Sequence, residues 1–414
     1  MNVTIPQLLW YGNTELELDF PDSWSIYPCP MKGAYAPKLT DEEMAHAFGN
    51  PIGTPTIGEI AKGRKEAVII FDDIARSTPV YAIAPYVIDA LNGAGITDAH
   101  IRFVAALGAH GAHTANDFRK KLGEEVLDRF PVFNHNPFDF CTYVGQTSRG
   151  TPLSVNNEVM ACDLKIGIGS IVPHPFCGFG GGAKIILPGV AHIDAINYNH
   201  GTILKNSPGS RGFGNIEGNV PRLDMEEAAK MARLDVKIDA IVNLRGEIAG
   251  LFVGDPILEH REGVKMAREF YGTVQAKDMD VVVLNAYSKS NEVVVTPRLG
   301  APSIKEEGGD LVLIVNEPAG QVVHYLLGEF GTAGETKVGV TRPELRRVER
   351  MIAVMPLMDP FLQTFRNDVG EIVRVKTWQE CLNLLKAKWG AKANVAVYPD
   401  ATVQYFPLKA KTNT

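Results

Sequence analysis

The segment from residue 67 to 107 constrains the fold more than any other. AVIIF (67–71) is an uninterrupted apolar run of strand length that passes straight into the polar loop DDIARSTP. A helical pattern follows, with Ile83, Val87, Ile88 and Leu91 recurring on one face and Gly93 and Gly95 closing it. A second apolar strand, IRFVAAL (101–107), comes next. Strand, crossover helix and strand form a β-α-β unit, whose crossover obliges the two strands to run parallel. Both strand-end loops then open on one edge of the sheet, where small-molecule sites form. Asp72, Asp73 and Arg76 are thereby expected near His110 and His113.

A third strand, 164–169, runs into SIVPHPFCGFGGGAKIILPG, and in the same parallel sheet its loop joins the other two. VAHIDAINYNHG reads as a helix with Ile193 and Ile196 turned inward and His200 one turn beyond Ile196. After about residue 272 the pattern restarts with strand VVVLN (281–285), a polar loop from Ala286 to Thr296, a helix around 297–307 and strand DLVLIVN (310–316). This order predicts an α/β protein of two domains, 1–272 and 273–414, each with a mostly parallel sheet flanked by helices. The second loop region, with Tyr287, Lys289, Asn291 and Arg298, is expected to close an interdomain cleft holding the active site. The last residues, LKAKTNT, read as a loose tail.

A chain of 414 residues is long for one core and suits two. A net charge of −7 and a pI near 5.9 give no basic field for a polynucleotide or an anionic membrane. No apolar run approaches bilayer length, and MNVTIPQLLW lacks the features of a secretion signal, so the expected location is the cytoplasm. Five scattered cysteines form neither a disulfide framework nor a zinc knuckle.

Gly178, Gly180, Gly181 and Gly182 followed by Lys184 give backbone that a ligand can approach, beside a cation. The triphosphate-binding pattern GxxxxGK[ST] fails here, because Lys184 follows Ala183 and precedes Ile185. No GxGxxG opens an amphipathic helix either. A nucleotide-dependent phosphotransferase and a tightly packed turn both stay open on the glycines alone. His174 and His200 flank the lysine, and His110 joins them at the sheet edge. Imidazoles suit proton transfer and soft-metal ligation, and a lysine can become a nucleophile.

The strings DDIARSTP, ALGAHGAHT and IGSIVPHPFCGFGGGAKIILPGVAHIDAINYNHG together resemble the nickel-pincer nucleotide-dependent lactate racemase family, in the family's order from residue 72 to 201. A weaker resemblance covers nearly the whole chain. It implies a pyridinium-3,5-bisthiocarboxylic acid mononucleotide joined to Lys184 as a thioamide, with nickel held by that cofactor and by His200. His110 and His174 match the family's two proton donor/acceptors. Asp73, Ile74, Ala75 and Arg76 match the loop that contacts the cofactor, Arg76 also orienting the substrate. Arg298 stands where the family has a lysine and Val295 where it has a glutamine, both at the substrate. The implied partners are a small 2-hydroxy acid and, transiently, the proteins that make the cofactor. Lactate, malate, 2-hydroxyglutarate, an aromatic acid and a sugar acid all stay open as substrate, as does a non-catalytic role as a nickel or cofactor carrier. Trp10, Tyr11, Phe176, Tyr287 and Met358 either shape a larger pocket or belong to the core.

Overall fold

The computed structural model describes residues 1–326, 343–357, 359 and 369–407; Met358 and the tail 408–414 lie outside them. The first sheet has six strands, in the spatial order Ile248–Gly254, Val236–Val242, Leu164–Ser170, Ala67–Asp72, Ile101–Ala106 and Val132–Asn134. All neighbours are parallel except the edge pair of Val236–Val242 and Ile248–Gly254. Every residue of Ala67–Asp72 and Leu164–Ser170 is buried, as a parallel sheet covered on both faces requires. Helix Val80–Gly93 supplies one cover through Ile83, Val87, Ile88 and Leu91, which pack with Ile69, Phe71 and Phe103. On the other face Val68, Ile70 and Val104 meet Ile185, Ile186 and Leu187 of the Gly-rich segment and Met225 and Ala228 of helix Val220–Met231. Each fully buried Ile, Val or Leu contributes about 1.5–3 kcal/mol. The Gly-rich segment is therefore part of the core and not a free flap.

The second sheet is wholly parallel, in the order Glu371–Val375, Val348–Val354, Gly309–Ile314, Val281–Asn285, Asn394–Tyr398 and Ser25–Pro28. Its last strand comes from the start of the chain. The opening strands, counted above with residues 1–272, thus pack on the second sheet: Val3, Ile5, Leu18 and Trp24 find their apolar cover against Val281, Val283, Val395 and Trp378. The helix expected over 297–307 is shorter, a turn Pro297–Gly300 followed by a 3₁₀ turn Ala301–Ser303. Pro302 has no N–H to give to the Arg298 carbonyl, which stops an α-helix there.

Candidate active site

The three loops of the first sheet converge as the parallel crossover demands. They border a cavity of about 610 Å³ lined by Asp73, Arg76, His110, His174, Lys184 and His200. Its far wall comes from the second unit and includes Lys289, Glu292, Val295, Arg298 and His324.

Asp73 leaves the end of strand Ala67–Asp72 and its Oδ2 accepts from Nδ1 of His110, which leaves the neighbouring strand Ile101–Ala106. Burial works against charge on Asp73, but His110 and Arg76 hold its carboxyl well below the usual range. Ile74 and Ala75 do not line the cavity. The Ile74 amide donates to His113 Nε2 at 3.2 Å, and the buried Ala75 carbonyl accepts from Arg76 Nη1 at 2.7 Å. These two residues shape the loop, and His113 steadies it from behind. Lys121 does the same from helix Ala115–Leu122, pairing with Asp72 at 2.8 Å and donating to the Arg76 carbonyl at 2.8 Å.

The Gly-rich loop is strapped from beneath. Fully buried Arg222 donates to the carbonyls of Phe179 and, at 3.0 Å, Gly181. His260 Nε2 meets the Gly180 carbonyl at 2.8 Å, and the Gly182 amide donates to Asp239 Oδ2. Gly181 has φ +75°, and a Cβ there would stand 2.6 Å from Asp239 Oδ2, so only glycine fits. The Gly180 amide is committed to the Val172 carbonyl as well. With the amides of Gly180 and Gly182 engaged inside the fold, this loop is a poor phosphate cradle.

Lys184 sits on the 3₁₀ turn that follows, Gly182–Ile185. Burial, reinforced by Arg76 and Arg222, lowers its ammonium to about 8. His174 lies in a two-residue hairpin with Gly178–Phe179. Its Nδ1 accepts from the amides of Phe176 at 3.2 Å and Cys177 at 3.4 Å, so the neutral ring carries its proton on Nε2. Burial, and then Lys184, Lys289 and Arg76, keep that ring neutral far below the usual histidine range. His200 occupies a π-helical turn, Tyr198–Ile203, a geometry that recurs at functional sites. Burial and Lys184 push it down to about 3, and its buried Nδ1 has no hydrogen-bond partner among the described residues.

From the second unit Val295 and Arg298 line the cavity, and Phe176 lines it from the first. Tyr287 does not; it is buried and its hydroxyl donates to Asn13 at 2.5 Å. Trp10 borders a separate pocket of about 280 Å³, and Tyr11 lies under Lys120, 3.5 Å from its ring centroid. Sequence reasoning missed Glu292 and His324. Glu292 Oε2 pairs with Arg76 Nη1 at 3.0 Å, and the His324 ring lies 5.0 Å from that of His110. Applying the strand-end argument to SKSNEVVV after strand Val281–Asn285 points to Glu292; no motif marks His324.

Residues 11–211 match the lactate racemase N-terminal domain family. Over 392 residues the chain is 29% identical to the lactate racemase of Lactiplantibacillus plantarum, covering 88% of this chain and 91% of that one. Over 286 residues it is 31% identical to the lactate racemase of Thermoanaerobacterium thermosaccharolyticum, covering 68% and 66%. Solved structures share the fold. The lactate racemase apoprotein from Thermoanaerobacterium thermosaccharolyticum superposes with a TM-score of 0.75 at 23% identity, over 99% of this chain and 100% of the other. A protein from Thermotoga maritima does so with a TM-score of 0.64 at 16% identity, over 89% and 98%. Sequence matches over most of its length and a shared fold agree: the chain belongs to the lactate racemase family and is an isomerase.

Proposed function

We propose that the chain inverts C2 of a small 2-hydroxy acid, the class to which the lactate of its named relatives belongs, on a nickel-pincer nucleotide tethered to Lys184. The observation that carries this reading is the meeting of Lys184, His200, His110 and His174 in one cavity. The residues fit the group. A half-buried amine near 8 is neutral for about a tenth of its population at pH 7 and about half at pH 8, far more than an ordinary lysine, as attack on an acyl or thioacyl carbon requires. A neutral imidazole with an unpartnered ring nitrogen suits a soft metal. Among the described residues no cluster of three or more His, Cys, Asp or Glu is placed to hold a metal ion.

The hydrogen on C2 beside a carboxylate is a poor acid, so the proposed reaction removes it with its electron pair and leaves a planar 2-oxo acid. When bound, the nickel-pincer nucleotide supplies the acceptor for that hydride. His110 gives its Nδ1–H to Asp73 and offers Nε2 to the C2 hydroxyl proton; the imidazolium then rests against a carboxylate. His174, with Nδ1 occupied by backbone amides, offers Nε2–H to the substrate oxygen. Arg76 is the proposed clamp for the substrate carboxylate, with Arg298 in reserve on the opposite wall. Inversion would be completed by return of the hydride to the other face of the 2-oxo acid together with return of a proton to the C2 oxygen from an imidazole Nε2–H, so that neither hydrogen nor charge is left over.

The proposed setting is the cytoplasm, where five unpaired cysteines stay reduced and the cofactor-making proteins are at hand. Among the described residues no helix is long and apolar enough to cross a membrane. The test is coexpression with the cofactor-synthesis proteins, intact-mass detection of the Lys184 adduct, and chiral chromatography of a 2-hydroxy acid panel. Adduct-bearing protein that scrambles no acid in the panel overturns the reading.

A further inference from the structure

Glu292 is the one acidic side chain that the second unit sends into the cavity among the described residues. It sits at a kink in the turn Ser290–Val295, with φ −128° and ψ 43°, which throws the carboxylate across to the first unit. Oε2 takes the Arg76 Nη1–H at 3.0 Å, with Lys289 Nζ 3.9 Å away. Oε1 lies 3.8 Å from His110 Nε2, too far for a hydrogen bond, and accepts none from the described residues. Burial opposes the charge, but Arg76 and Lys289 hold the carboxyl down at about 2. The cavity thus contains an anionic oxygen with an acceptor site to spare, next to the imidazole nitrogen where the C2 hydroxyl is proposed to dock.

We infer that Glu292 is a specificity-determining residue that selects 2-hydroxy acids bearing a further hydroxyl on C3 over alkyl hydroxy acids and over dicarboxylates. The inference rests on the hydroxy-acid reading above and narrows it. A lone C2 hydroxyl has one proton and can satisfy either His110 Nε2 or Glu292 Oε1, not both. Adjacent hydroxyls of a diol stand closer together than the 3.8 Å between these two acceptors, so each can reach its own. A methyl at C3, as in lactate, leaves Oε1 buried under ligand without a donor, which a site built for a hydroxyl rejects. A second carboxylate brings only acceptors to an anionic oxygen and is repelled. An ammonium group meets the positive charges of Arg76 and Lys289 in the same space. The neutral hydroxyl is the donor that this surrounding charge tolerates.

The experiment compares glycerate, lactate and malate on the cofactor-loaded enzyme, as wild type and as Glu292→Gln. Affinities of the three acids for the cofactor-free protein are measured in parallel by ligand-observed NMR. The expected result is a kcat/KM for glycerate about 10- to 100-fold above that for lactate, with malate lowest. In Glu292→Gln the glycerate advantage collapses and malate gains, a change in ratio that a general loss of activity does not produce. Affinities follow the same order and lose it in the same variant. Equal values for glycerate and lactate, a preference for malate, or an unchanged ratio in Glu292→Gln overturns the inference. If the affinities rank as expected while loaded enzyme inverts none of the acids, the racemase reading fails and the selectivity of the cavity stands.

Discussion

Asp73 and His110 leave adjacent parallel strands and meet through Oδ2 and Nδ1 at the base of the cavity. The carboxylate fixes the ring so that Nε2 faces Glu292 and the open space, and it is ready to balance an imidazolium. Asp73→Asn keeps the shape and removes the charge. The expected outcome is a kcat about 10²- to 10⁴-fold lower with KM within a few-fold, by analogy with other carboxylate-oriented histidines. Stereo-inversion assays on protein whose Lys184 adduct is verified by mass will show it. A kcat within threefold of wild type removes Asp73 from the proton path.

Lys184 is expected to be the fastest-labelled lysine of the cofactor-free protein toward a small amine-reactive reagent. Its lowered value of about 8 leaves far more neutral amine at pH 8 than an ordinary surface lysine has, and the cavity gives the reagent access. Time-resolved peptide mapping measures the order of labelling. Lys289 shares the cavity and the value of about 8, so it is expected second. Labelling of Lys184 after the exposed Lys32 or Lys265 contradicts the assignment.

Much of this site is legible in the sequence because parallel β-α-β order fixes which loops share an edge. AVIIF, IRFVAAL and 164–169 read as parallel strands of one sheet, and parallel strands send their C-terminal loops, with Asp73, His110 and Lys184, to the same edge. Glu292 lies in a strand-end loop that the same argument reaches, but which residue of that loop crosses to Arg76 was not legible, and no motif marks His324. Both contacts depend on how the second unit sits against the first, and no local period encodes that. Pairing of Ser25–Pro28 with Asn394–Tyr398 is equally long-range, because a four-residue, largely exposed strand leaves little hydrophobic pattern to read. Tyr287 went the other way: its position after a strand end pointed to the cleft, yet a partner in Asn13 draws it into the core.

Arg222→Met tests whether the strap under the Gly-rich loop is structural. Methionine fills similar volume but leaves the buried carbonyls of Phe179 and Gly181 without the guanidinium donors. The expected loss is about 2–5 kcal/mol of unfolding free energy, read from urea midpoints. Lysine is not a rescue, because one ammonium cannot reproduce the planar fork. A variant within 0.5 kcal/mol of wild type, on the order of measurement error, shows that the loop holds itself.

Acid sensitivity follows from two buried histidines outside the cavity. His135 donates Nε2–H to the Ala191 carbonyl at 2.9 Å, and His260 stands under Gly180. Burial lowers them to about 4 and about 3 respectively, while the unfolded chain takes up the same protons near 6.5. Below 6.5 the unfolded state therefore binds more protons, so stability is full above that pH and drains as pH falls toward the folded values. Carboxylates add to the decline at its lower end, which makes the variants the informative comparison. His135→Gln keeps a side-chain amide donor for Ala191 and cannot titrate, so its stability is expected to fall less steeply between pH 6 and 4.5. The difference is about one proton, or about 1.4 kcal/mol per pH unit at most. His260→Gln is expected to flatten the curve similarly and to continue doing so at lower pH. Urea unfolding at half-unit pH steps measures both slopes, and curves parallel to wild type would show that neither ring is neutral in the folded protein.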